Sequence, residues 1–136
     1  MPKPKNPEAL EWYVYQFEVN NVPFYVGIGH KERASDRLRW VCSQIKRQLA
    51  GKRPNWVTHT EVIREFLLTP VPVKTHYIRK RICRAEALRV EKGRIRRLLK
   101  GHYILANKQY NPSHPTWQEV VKFVRKKSKA SRSRST

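Results

Sequence analysis

Apolar and polar positions alternate most clearly between Trp12 and Val19. Tyr13, Tyr15, Phe17 and Val19 point to one side, and Trp12, Val14, Gln16 and Glu18 to the other. That period of two, with its Tyr, Val and Phe content, predicts a strand over Leu10–Val19. Asn20-Asn21 can supply the positive φ values of a tight hairpin. Val22–Gly27 is then the return strand, at a sheet edge or bulged, because Pro23 has no N–H to donate. On it Tyr25 is placed opposite Phe24 and Val26. Gly27 and Gly29 bracket Ile28 in what reads as a loop, where glycine permits a sharp turn or close approach to a ligand.

The period then becomes helical. Ala34, Leu38, Val41, Cys42, Ile45 and Leu49 make one stripe, which predicts a helix from near Arg33 that ends before Gly51. A loop over 52–60 leads to a short helix, Glu61–Leu68, which Pro70 and Pro72 prevent from continuing. Val73–Ile82 reads as a third strand. Arg84–Lys100 is a second long helix with an apolar stripe of Ala87, Leu88, Ile95, Leu98 and Leu99, stopped at Gly101. Glu91 falls in the middle of that stripe, whereas Glu86 points away. A carboxylate facing the core is costly unless it is paired, here with Arg84 or Arg94, or holds a metal. Thr116–Lys126 is a last amphipathic helix, with Thr116 and Glu119 spaced as a capping box.

Three strands with interleaved helices make the chain α+β. At 136 residues it is one domain. The organisation expected is a flexible start over 1–9, a folded domain over 10–111, a C-terminal helix over 112–126 and a disordered basic tail over 127–136.

Charge changes the picture more than composition does. Lys plus Arg number 30 against 10 Asp plus Glu, a net charge of +20. Such an excess repels itself in the compact state, so a polyanionic partner is expected, nucleic acid first and an anionic membrane surface second. Arg79, Lys80, Arg81, Arg94, Arg96 and Arg97 are the candidate phosphate contacts. Trp40, Trp56 and Trp117 are candidates for stacking on bases, with core packing the alternative for Trp40. Cys42 and Cys83 read as reduced core thiols in an intracellular protein, cytoplasmic or nuclear according to its source, since MPKPKNPEAL has no apolar signal region. The remaining histidines, His59 among them, have no metal-like spacing and read as surface or loop residues. No apolar run is long enough to span a membrane.

Tyr13-Val14-Tyr15 and Tyr25-Val26-Gly27, joined by the hairpin, are followed in order by GIGHKERASDRLR, EALRVEKGRI and Asn107 in LAN. Together these resemble the GIY-YIG nuclease family over roughly residues 10–110. Tyr13 stands in place of the family's first glycine, and Ile28 where many members carry a lysine. The resemblance implies a small central three-stranded antiparallel sheet flanked by helices. It also implies a metal-dependent DNA endonuclease that hydrolyses phosphodiester bonds with one Mg2+ or Mn2+. By the same resemblance Glu91 is the carboxylate on that metal, Tyr25 the general base or water-positioning group and Tyr15 its support. Arg33 or Arg37 is the essential arginine, His30 or Lys31 substitutes for the missing lysine, and Asn107 closes the module. DNA is the implied partner, without a small-molecule cofactor. A homodimer or a recruiting protein is the expected source of added specificity. Two other readings stay open: a noncatalytic nucleic-acid-binding module with a broken site, and a basic ribonucleoprotein component.

Overall fold

Asn20 and Asn21 both take left-handed φ values, 50° and 67°. That is the backbone of a two-residue hairpin turn whose twist matches the strands it joins. It folds β1 (Trp12–Val19) against β2 (Val22–His30). The structure, a computed structural model, describes residues 10–30, 33–51, 58–69 and 71–134, excepting the side chains of 33–36, 49 and 129–134.

β3 (Lys74–Ile82) pairs antiparallel with the other side of β1, giving a three-stranded sheet in the order β2-β1-β3. The chain is therefore α+β, with four helices packed on this sheet. α1 (Arg33–Leu49), α2 (Thr58–Leu68) and α4 (Trp117–Arg134) cover the face carrying Tyr13, Tyr15 and Phe17. α3 (Arg84–Lys100) covers the opposite face, burying Ala87, Ile95 and Leu98 against Val14 and Val26. No helix among the described residues is long and apolar enough to cross a membrane.

The segment from Gly27 to His30, expected to be a loop, continues β2. Tyr15 lies opposite Gly27 and Tyr13 opposite Gly29. Gly27 makes room for the Tyr15 and Tyr25 rings on a crowded sheet face instead of turning the chain. β2 is both an edge strand and bulged, as the lack of an N–H on Pro23 requires. Phe17 pairs with Tyr25 and Glu18 with Pro23, so Phe24 is the extra residue. The bulge overturns the expected placement of Phe24 opposite Tyr25. Phe24 joins the core on the side of Phe17 and Tyr25, and Val26 alone belongs to the other face.

Thr116 and Glu119 close the capping box: the Glu119 N–H donates to the Thr116 hydroxyl (3.2 Å) and the Thr116 N–H to the Glu119 carboxylate (3.3 Å). The helix they start continues to Arg134 instead of stopping at Lys126, with buried Ser128 donating to the Val124 carbonyl. No Gly or Pro interrupts that stretch. Cys42 is a free thiol on the exposed side of α1, not a core residue, and free Cys83 is half-buried at the N-cap of α3.

Candidate active site at the edge of β2

The outer edge of β2 is closed by the segment that follows α3. The Ala106 N–H donates to the Phe24 carbonyl (2.7 Å). Two residues along the strand the Asn107 side chain takes over. It accepts from the Val26 N–H (3.0 Å) and donates to the Val26 carbonyl (2.7 Å), as a neighbouring strand would. Asn107 is buried, and both polar atoms of its carboxamide are used on Val26. It thereby holds the backbone between Tyr25 and Gly27.

A cavity of about 250 Å³ opens at this edge, lined by Tyr25, His59, Glu91, Ile95, Ala106, Asn107, Lys108 and Gln109. Tyr25 reaches it from the α1/α2/α4 face of the sheet and Glu91 from the α3 face. The two faces can share a cavity only because β2 is an edge strand. Glu91 is 8% exposed. No ion pair reaches it among the described residues, and burial pushes its carboxyl above the usual range. The anticipated ion-pair partner Arg94 is committed elsewhere, its Nε donating to Gln16 Oε1 (3.1 Å).

Tyr15 is buried on the central strand, 2% exposed, with its ring 6.4 Å from that of Tyr25. It lies beside Tyr25 without lining the cavity. Tyr25 stacks on Phe17 (5.8 Å, 22°) and on His59 (4.2 Å, 16°), so both its position and its tilt are fixed.

His59 was not anticipated. With α2 expected to start at Glu61 it counted as a loop residue, but α2 begins at Thr58. The signal was present: Val62, Ile63 and Phe66 lie at i+3, i+4 and i+7 from His59, which puts it on the buried side of the helix. Its Nε2 is buried without a hydrogen-bond partner among the described residues. Burial, with the charges of Arg37 and Lys108, lowers its pKa from 6.5 to about 4. A depressed histidine pKa stabilises the fold above the unfolded value, and that contribution is lost as pH falls from 6.5 toward 4. The stability of the wild type relative to a His59→Gln variant should therefore drop across that window, by up to about 1.4 kcal/mol per pH unit. Urea melts at several pH values measure the difference. A difference that is flat with pH removes the buried neutral imidazole.

Arg37, half-buried on α1, is the α1 arginine whose charge is felt at His59. The Arg33 side chain and Lys31 lie outside the described residues. His30 is not brought to the cavity. It ends β2, paired with Trp12 and ring-packed against it at 4.7 Å, on the sheet face opposite Tyr25. The alternation of the strand places it there.

Among the phosphate candidates, Arg94 donates from Nε to Gln16, and Arg79 pairs with Glu86 at 3.6 Å. Lys80 lies over the Tyr77 ring, and Arg81 is exposed at φ 58°, in a stretch where β3 slips register against β1. Arg96 and Arg97 are exposed on α3. Trp40 and Trp117 pack on the core, and Trp56 lies outside the described residues.

Among the described residues no group of three or more His, Cys, Asp or Glu could enclose a metal. One buried carboxylate beside a water-accessible cavity suits a hard cation that keeps most of its waters and shares a phosphate oxygen. Magnesium or manganese fits that donor set; a closed zinc centre does not. No family model, no curated protein and no solved structure matches this chain.

Proposed function

We propose that this protein is a metal-dependent DNA endonuclease of the GIY-YIG type that hydrolyses a phosphodiester bond at the edge of β2. The observation that carries the reading is Glu91, a buried carboxylate without an ion pair among the described residues, in the same cavity as Tyr25. In a chain of net charge +20, leaving that carboxylate unneutralised makes chemical sense if a cation arrives with the substrate.

When bound, Mg2+ or Mn2+ supplies Lewis-acid stabilisation of charge on the phosphate. Glu91 would hold it. Tyr25 orients the attacking water and accepts its proton. A phenol is ordinarily too weakly acidic to be a base at neutral pH, with a pKa of about 10. Arg37 and Lys108, whose charges reach the stacked His59, are the cations the site offers to a phenolate. His59 stays neutral and braces the ring without adding charge. Arg37, with Arg33 one helical turn before it, meets the non-bridging oxygens. Tyr15 and Asn107 hold Tyr25 and its strand, while Lys80, Arg81, Arg96 and Arg97 offer cations to the flanking phosphates.

The test is conversion of supercoiled plasmid with Mg2+ or with EDTA. Nicked plasmid is expected with Mg2+ and none with EDTA, with binding retained in both. Tight binding with no conversion in either Mg2+ or Mn2+ would make the protein a noncatalytic nucleic-acid-binding module.

A further inference from the structure

Beside the cavity the chain forms a braced loop from Asn107 to His114. Asn107 is tied to Val26 at one end. Asn111, 2% exposed, anchors the other: its Nδ2 donates to the carbonyls of Leu105 (2.8 Å) and Asn107 (2.9 Å), and its Oδ1 accepts from the Ser113 hydroxyl (2.9 Å). Between the two anchors Lys108, Gln109 and Tyr110 project outward. Tyr110 is 42% exposed and sits at φ 59°, a conformation uncommon for a bulky residue. The backbone is therefore held so that this ring faces out.

The surroundings of the ring are cationic. Lys92 Nζ lies 5.5 Å from its centroid. Arg96 on α3 and Lys108 line a concavity of about 370 Å³ with Tyr110, Asn111, Pro112 and His114. Neither Arg96 nor Lys108 forms an ion pair among the described residues. Lys108 also lines the cavity that holds Tyr25 and Glu91, so the two hollows share a wall. An isolated exposed tyrosine needs no explanation. A tyrosine held out by a braced loop, ringed by cations from another element and adjoining a candidate phosphate-cleaving site does.

We infer that Tyr110 is a stacking platform for an unpaired base of DNA, with Lys92, Arg96 and Lys108 on the phosphates beside it, so that the substrate carries a single-stranded nucleotide next to the scissile bond. Every base has a π-face, so stacking on an aromatic ring recognises an unstacked nucleotide whatever its sequence. A fully paired duplex hides those faces and leaves only its backbone to be gripped. The inference deepens the nuclease reading and rests on it for the word scissile; base stacking itself is measurable without cleavage.

The experiment is fluorescence anisotropy in EDTA with the full chain, using a fluorescein-labelled oligo(dT) single strand and a blunt-ended, fully paired DNA duplex with the same number of phosphates. Tyr110→Leu, which keeps bulk without a π-face, should weaken oligo(dT) binding about tenfold and leave the duplex unchanged. Tyr110→Trp should restore oligo(dT) binding and show fluorescence quenched by the bound strand, relative to the same titration of the wild type. Equal losses on both probes, or none, overturn the platform, as does tighter binding of an oligo(rU) strand than of oligo(dT). A positive result alongside a plasmid that is never nicked would separate the binding site from the nuclease reading and overturn only the latter.

Discussion

Replacing Glu91 by Gln should yield a protein that is more stable and inactive. At neutral pH in EDTA the variant is expected to unfold about 3 °C higher, from relief of about 1 kcal/mol of uncompensated burial. The sign follows from the carboxyl itself. Burial raises its folded-state pKa above the ordinary 4.5. A raised acid favours the fold fully only below its unfolded value, and that contribution is lost as pH rises through the folded one. Glu91 therefore costs stability at neutral pH and nothing below 4.5, and the advantage of the Gln variant should vanish there. Cleavage with Mg2+ should fall at least about a thousandfold, the equivalent of about 4 kcal/mol of lost charge stabilisation. A third readout links the two. Millimolar Mg2+ should raise the melting temperature of the wild type by mass action and leave the variant unmoved. A variant less stable than the wild type in EDTA would show that Glu91 has a partner in the fold and would remove the main support for a cation there.

The same carboxylate marks how far the sequence could be read. α3 was legible end to end because its stripe is regular and Gly101 stops it: the observed helix is Arg84–Lys100. Glu91 stood out as a charge within that stripe, and it is buried. The hairpin was legible from Asn20-Asn21 and the period of two. The glycines after Tyr25 were not. Glycine signals a turn and equally signals a missing side chain, and only the register opposite Tyr13 and Tyr15 decides between them. Asn107 could be named, but its work on Val26 depends on a contact across 81 residues that no local pattern encodes. His59 was hidden by an error of three residues in a helix start. The joining of Tyr25 and Glu91 in one cavity depends on β2 being the edge strand and on the 105–107 segment lying along it. The charge excess predicted a polyanion without locating it, because a net charge carries no position.

Gly27→Ala should damage the proposed active site while leaving the fold in place. Gly27 does not have a positive φ, so its backbone accepts alanine; space is what is missing. A Cβ there would sit 2.8 Å from the Tyr15 hydroxyl oxygen, 2.9 Å from Tyr15 Cζ and 3.0 Å from Tyr25 Cε1. Tyr15 cannot swing away, since it is 2% exposed and packed at 5.1 Å against Phe17. Tyr25 can yield only by leaving its stack on His59. Overpacking of this kind costs about 2–3 kcal/mol. A displacement of about 1 Å in a positioned catalytic group lowers the rate about a hundredfold. The two effects are separable, because a domain of ordinary stability stays folded after such a loss, so unfolding cannot account for the missing activity. Gly93→Ala on α3 is the control. Nothing lies within 4 Å of the added methyl there, and a helical glycine replaced by alanine should gain about 1 kcal/mol without touching the site. Urea melts and plasmid nicking on both variants make the comparison. If Gly27→Ala loses stability but nicks at the parent rate, Tyr25 does not need its observed position, and its role as the water-orienting base fails even if the protein proves to be a nuclease.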